Sequence, residues 1–111
     1  MIGIDIIAID RFEKIGEGDY IHWSKFFTKA EWEYVFSKAH SAQSLAGIYA
    51  AKEAIIKAIK KETMEHANRI EVAHAADGKP IVKIDKNDRP DIHISISHTR
   101  DIAVAVAVKY E

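Results

Sequence analysis

The sequence predicts an α+β fold, a small antiparallel sheet packed with one long and several short helices, and three observations carry that prediction. Apolar residues alternate with a period of two at the start and at the end of the chain. Between them Ile48, Ala51, Ile55, Ala58 and Ile59 recur with the period of a helix. The second half of the chain reads as two hairpins, each with turn-forming residues between its strand-like runs.

At the start, Ile2, Ile4 and Ile6 alternate with Gly3, Asp5 and Ile7, which predicts a buried first strand in which Asp5 shares a side with Ile7. Asp10 followed by Glu13 has the spacing of a capping box and would start a short helix through Arg11, Phe12, Glu13 and Lys14, with Arg11 in its exposed first turn. Thr28 and Glu31 make a second capping box, and Phe27 and Trp32 occupy the N′ and N4 positions of a hydrophobic staple, so a helix begins at Thr28. Ser41 or Ser44 can open the longest helix, which carries the apolar stripe and ends near Lys60 and Lys61.

After Asn68 the pattern turns to β. Ile70 and Val72 lead to Asp77-Gly78-Lys79-Pro80, a turn with Lys79 at its tip, and the chain returns through Ile81, Val82 and Ile84. Ile92, Ile94 and Ile96 then alternate with His93, Ser95 and Ser97, turn at His98-Thr99-Arg100-Asp101, and return as Ile102, Val104, Val106 and Val108 against Ala103, Ala105 and Ala107. Alanines this small suit a face pressed by a helix or by another subunit.

With 111 residues, 48% hydrophobic and 30% charged, the chain suits one domain, 1–111, with a real core. A net charge of -1 argues against nonspecific nucleic-acid binding, so an anionic ligand must be held locally. There are no cysteines, which excludes a disulfide framework, a thiolate metal site and a thiol nucleophile and fits a reducing cytoplasm. No run approaches the ~20 apolar residues of a membrane span, and the first residues read as a strand instead of a signal peptide.

Against that background Asp5 and Glu53 stand out, because each carboxylate is planted among apolar neighbours, in Gly3-Ile4-Asp5-Ile6 and in Ala50-Ala51-Lys52-Glu53-Ala54. An ionised carboxylate removed from water costs several kcal/mol unless a cation or hydrogen bonds compensate, and a shared metal ion would do so for both. Glu53 and Lys57 share a helix face, with Lys52 roughly 100° around the axis, so the helix can present one ligand and two cations to a polyanion. The same spacing also describes an ordinary exposed Glu–Lys pair worth a few tenths of a kcal/mol.

Taken together, Gly3-Ile4-Asp5-Ile6 with Ile9 and Arg11, Phe27-Thr28 with Glu31, Ala46-Gly47 leading into Ala50-Ala51-Lys52-Glu53-Ala54 with Lys57-Ala58, Gly78-Lys79-Pro80, and Ser95-Ile96-Ser97-His98-Thr99 resemble the holo-acyl-carrier-protein synthase family of 4′-phosphopantetheinyl transferases. The resemblance runs nearly end to end. It implies the 4′-phosphopantetheinyl transferase fold, and a reaction that moves the 4′-phosphopantetheine arm of coenzyme A to a serine of apo acyl carrier protein, releases adenosine 3′,5′-bisphosphate and supports fatty acid biosynthesis.

It also implies roles for residues. Asp5 and Glu53 match the family's Mg²⁺ ligands, and an oxygen-only ion that keeps its waters suits two carboxylates. Glu53 would in addition take the proton of the carrier serine, directly or through water, and Lys52 would stabilise the leaving phosphate. Lys57 would hold the pyrophosphate. Gly78, Lys79 and Pro80, with Ser97, His98 and Thr99, would line the nucleotide end of coenzyme A. Arg11, with Lys14, would meet the acidic carrier protein. Short relatives form homotrimers with active sites between subunits.

Two departures stand against the family pattern. Ile48 occupies a position where relatives commonly carry arginine, and Asp85-Lys86-Asn87-Asp88-Arg89-Pro90-Asp91 reads as a polar loop where many carry a helix. Ile48 motivates an alternative, a non-enzymatic module of the same fold that binds coenzyme A or a carrier protein, while Asp5, Lys52 and Glu53 favour the enzyme. A metal-dependent hydrolase built on the six histidines lacks the H-E-x-x-H spacing.

Overall fold

The computed structural model describes residues 1–60 and 63–110, so the expected helix end at Lys61 lies outside the described residues. Strand β1 (Ile2–Ala8) leads through a 3₁₀ turn (Ile9–Phe12) and a second one (Glu17–Asp19) to a one-turn helix α1 (Tyr20–Trp23). Helices α2 (Lys29–Phe36) and α3 (Ser41–Ile59) follow, then a 3₁₀ segment (Met64–Arg69) and strands β2 (Ile70–His74), β3 (Pro80–Ile84), β4 (Asn87–Asp88), β5 (Ile92–His98) and β6 (Ile102–Lys109). Among the described residues no helix is long and apolar enough to cross a membrane.

The class is α+β as expected, but the strands form two sheets of three. One has the order β1-β6-β5 and the other β2-β3-β4, all antiparallel. The terminal hairpin fixes the first sheet, because β6 pairs with β1 on one side and β5 on the other: Asp5 lies opposite Ala105, which lies opposite Ile96. Ala103, Ala105 and Ala107 are buried under α3, which settles what presses on them. Gly3 permits the same closeness on β1, since a Cβ there would stand 2.0 Å from the Ala54 carbonyl oxygen.

This packing corrects the expectation that β1 is wholly buried. Gly3, Asp5 and Ile7 face α3, whereas Ile2, Ile4 and Ile6 are 70%, 60% and 62% exposed on the outer face, in register with Val108, Val106 and Val104. Alternation of an apolar with a nearly apolar set does not say which set faces the core.

Helix α2 starts where its capping box places it. Glu31 N–H donates to Thr28 Oγ1 at 3.2 Å, Thr28 N–H donates to Glu31 Oε1 at 2.8 Å, and the Phe27 and Trp32 rings pack tilted, 5.8 Å between centroids. The Asp10/Glu13 spacing does not act as a capping box. Ala8 is the residue before the first 3₁₀ turn and makes no side-chain cap, because Ile9 and Phe12 are drawn into the core and leave room for a single turn only. The expected loop at 85–91 also needs correction. Asp85 and Lys86, at φ 50° and 68°, form a tight two-residue turn that lets Asn87–Asp88 pair back onto β3.

Candidate active site

Residues that the sequence singled out separate into two groups on opposite flanks of α3. On one flank Asp5 projects from β1 toward Glu53 and Lys57. Lys57 Nζ donates to the Ile4 carbonyl at 2.9 Å and approaches Asp5 Oδ1 at 3.4 Å, so it turns to the strand. Asp5 Oδ2 is buried with no hydrogen-bond donor, an orphaned acceptor that calls for a cation or a proton.

Glu53 stands beside it. Burial pushes the Glu53 carboxyl above its ordinary range, and hydrogen bonding with Asp5 and the Asp5 charge push it further, while Lys57 and Arg11 pull it down. Two carboxyl groups this close do not both ionise readily unless positive charge sits between them. The donor set is oxygen only and has two members. Among the described residues no cluster of three or more His, Cys, Asp or Glu side chains gathers elsewhere to hold a metal. An Mg²⁺ ion, which keeps several waters and accepts substrate phosphate oxygens, fits such a pair.

Arg11 belongs to this flank. Its guanidinium lies 5.6 Å from the centroid of the Tyr49 ring and 5.9 Å from that of Phe12, and its charge reaches both Tyr49 and Glu53. Burial, then the charge of Glu53, raise the Tyr49 hydroxyl above its usual value, and Arg11 opposes them. The sequence carried a signal for Tyr49, which lies one helical turn before Glu53. It was missed because an aromatic residue at that spacing ordinarily serves the core. Lys14 is exposed beyond the first 3₁₀ turn.

On the other flank an open cleft of about 330 Å³ is lined by Gln43, Ser44, Gly47 and Ile48 of α3, by Gly78 and Pro80 of the first hairpin, and by Ser95, Ile96 and His98 of β5. Tyr34 and His74 complete it, stacked at 4.0 Å with 8° between their planes. Nothing in the sequence pairs those two, since forty residues separate them. Ile48 contributes apolar wall where the resemblance led one to expect a cation. Gly78 sits at φ 88°, a left-handed conformation that glycine adopts freely, and this closes the hairpin against Ala75.

Three residues expected at the nucleotide end stand apart from the cleft. Lys79 lines a neighbouring depression with Asp77, Asp88 and Arg89. Ser97, exposed opposite Val104, does not line the cleft, whereas His98, opposite Ala103, does. Thr99 spends its hydroxyl on the turn, accepting from the N–H groups of Asp101 and Ile102 at 3.2 Å each.

Lys52 is the plainest correction. It is fully buried, and its ammonium donates to the Phe26 carbonyl at 2.7 Å, to the Ala67 carbonyl at 3.0 Å and to Glu31 Oε1 at 2.5 Å. All three N–H bonds are spent inside the fold, so no donor is left for a leaving phosphate.

A family model for the 4′-phosphopantetheinyl transferase superfamily matches residues 1–107. A holo-[acyl-carrier-protein] synthase of Thermodesulfovibrio yellowstonii is 43% identical over 109 residues, which cover 96% of this chain and 95% of that protein. One from Caldicellulosiruptor bescii is 34% identical, over 96% of this chain and 94% of its own length. Among solved structures, the Helicobacter pylori holo-[acyl-carrier-protein] synthase in complex with coenzyme A superposes with a TM-score of 0.79 at 28% identity, over 98% of this chain and 99% of that one. The Bacillus anthracis synthase gives a TM-score of 0.75 at 31% identity, over 99% and 96%.

Proposed function

Because the chain belongs to the 4′-phosphopantetheinyl transferase superfamily, we propose that the flank of α3 bearing Asp5, Glu53, Lys57 and Arg11 is the centre that transfers 4′-phosphopantetheine from coenzyme A to a serine of apo acyl carrier protein. The observation that carries this reading is the Asp5–Glu53 pair itself, with an orphaned buried carboxylate oxygen and a raised partner carboxyl.

In the reaction the serine oxygen forms a bond to the phosphorus that bears the pantetheine arm. The bond from that phosphorus to the bridging oxygen breaks, and adenosine 3′,5′-bisphosphate leaves. Asp5 and Glu53 would hold Mg²⁺, which when bound supplies positive charge to the pyrophosphate oxygens. Glu53 accepts the serine proton, directly or through a water. Lys57, half exposed and already aimed at Asp5, carries a second positive charge to the pyrophosphate. Arg11, exposed beside Glu53, meets the acidic surface of the carrier and draws its serine to the base, with Lys14 behind it.

The cleft lined by Gly78, Pro80 and His98 takes the nucleotide end, and the active form is a homotrimer with sites between subunits. Two features support that arrangement. Ser44 and Ile48 point about 140° around the axis from Lys57 and Glu53 respectively, and Gln43, nearer to Lys57 in angle, lies about 21 Å from it along the axis, so one chain keeps cleft and carboxylates apart. A neighbouring copy can bring its cleft to this chain's carboxylates, and the exposed row Ile2, Ile4 and Ile6 offers an apolar surface for it.

The test is intact-mass measurement of an apo acyl carrier protein incubated with this protein and coenzyme A, with and without Mg²⁺. A gain of one phosphopantetheine that needs protein and metal is the expected result. No gain with several carriers, from a protein that still binds coenzyme A, would leave the binding module in its place.

A further inference from the structure

The one buried ion pair of the described interior, Glu31–Lys52, joins segments far apart in sequence. Lys52 on α3 holds the Phe26 carbonyl just before α2 and the Ala67 carbonyl just before β2. Glu31 on α2 accepts from Thr28 N–H at 2.8 Å through Oε1 and from Val72 N–H, in the middle of β2, at 2.7 Å through Oε2. Beside it Thr28 Oγ1 donates to Glu71 at 2.7 Å, a second tie between α2 and β2.

Burial alone pushes Glu31 up and Lys52 down, toward neutrality. Hydrogen bonds offset that burial, because Lys52 Nζ meets three oxygen partners and the Glu31 carboxyl accepts from two backbone N–H groups. A buried ion pair is a poor source of stability, since apolar side chains of similar volume often serve as well. What it adds is direction: each bond fixes an angle as well as a distance.

The pair therefore sets where β2 lies against α3. Strand β2 pairs residue for residue with β3, from Ile70 opposite Ile84 to His74 opposite Pro80. Both His74 and Pro80 line the cleft assigned to the nucleotide, whose opposite wall is α3. We infer that Glu31–Lys52 is a positioning pair for coenzyme A: by anchoring β2 to α3 it fixes the width of the nucleotide cleft and leaves the carboxylate centre on the far flank untouched. This rests on the transferase reading above.

The experiment measures adenosine 3′,5′-bisphosphate binding by calorimetry, together with kcat and KM for coenzyme A, in the wild type and in two variants. Glu31→Gln with Lys52→Met removes both charges. Glu31→Asp keeps the charge but draws the carboxylate back by one C–C bond, about 1.5 Å, and preserves a folded protein should the double variant fail to form one. In a variant with native circular dichroism, nucleotide affinity falls about tenfold and KM for coenzyme A rises in proportion, while kcat at saturation stays within about threefold. Unchanged nucleotide affinity in folded Glu31→Asp and in the folded double variant overturns the inference, as does a fall in kcat at unchanged KM. A wild-type protein that binds no adenosine 3′,5′-bisphosphate instead overturns the functional reading, and this inference with it.

Discussion

Gly3 and Ala54 touch where β1 passes under α3: a Cβ on Gly3 would lie 2.0 Å from the Ala54 carbonyl oxygen and 2.9 Å from Lys57 Cβ. The first obstacle is helix backbone, which cannot rotate away as a side chain can. The two elements that carry Asp5 and Glu53 are thus held at a spacing that only a glycine allows.

Gly3→Ala accordingly pushes strand and helix apart. Overpacking of this kind costs about 1–3 kcal/mol, which for a chain of this size corresponds to a Tm lowered by roughly 4–12 °C. Transfer activity should fall further than stability, because Asp5 is two residues along the displaced strand. Thermal unfolding and a turnover assay at a temperature where the variant is folded measure both. A Tm within a degree of wild type would mean that the helix and strand can separate at no cost.

Glu53→Gln separates the catalytic and the structural consequences of the carboxyl pair. The Glu53 carboxyl titrates above its unfolded value, first because it is buried and then because of Asp5. Its contribution to stability is therefore full below the ordinary glutamate range and is lost as pH rises through the folded value. At neutral pH without metal the ionised pair disfavours the fold, so Glu53→Gln should raise Tm at pH 7 and leave it little changed at pH 4. Mg²⁺ should raise the Tm of the wild type and have a smaller effect on the variant, and turnover should drop by about 10²–10⁴-fold. Equal Mg²⁺ shifts in both proteins would place the ion away from Glu53.

Lys57→Met tests whether Lys57 is a surface ion pair or part of the centre. Its side chain is 55% exposed, and exposed pairs contribute about 0.2–1 kcal/mol, so Tm should hardly move. If Lys57 stabilises charge on the pyrophosphate, kcat/KM for coenzyme A falls about 10²-fold. A loss of less than threefold would return it to the ordinary Glu–Lys reading of its spacing.

The elements that sequence made legible are those governed by local chemistry. Thr28 with Glu31 is a contact across one helical turn, and Asp77-Gly78 closes a turn between adjacent strands, so residue types within four positions decide both. The Asp5–Glu53 pair was legible for a different reason: a carboxylate among apolar residues is conspicuous wherever the chain takes it. Lys52 was misjudged because its neighbours in sequence, Ala51 and Glu53, do not reveal that Glu31, Phe26 and Ala67 converge on its ammonium. Asp10 with Glu13 shows the converse limit, where tertiary burial of Ile9 and Phe12 overrides a good local signal. The inward and outward sides of β1 depended on α3 alone.

That exposed side of β1 leads to the prediction on assembly. Ile2, Ile4 and Ile6 stand in a row, and across from them Val108, Val106 and Val104 extend the apolar surface onto β6. Monomers rarely leave such a face to water, whereas an interface between copies buries it. Ile4→Glu plants a charge in the centre of the row without touching α3, since Ile4 points away from the core. Light scattering should report a single chain of 12.5 kDa in place of three, with circular dichroism unchanged. Turnover should vanish with the oligomer, because a lone chain keeps its carboxylates and the cleft proposed for the nucleotide on opposite flanks of one helix. Full activity in a monomeric variant would require one chain to hold coenzyme A by itself, and would overturn the shared site.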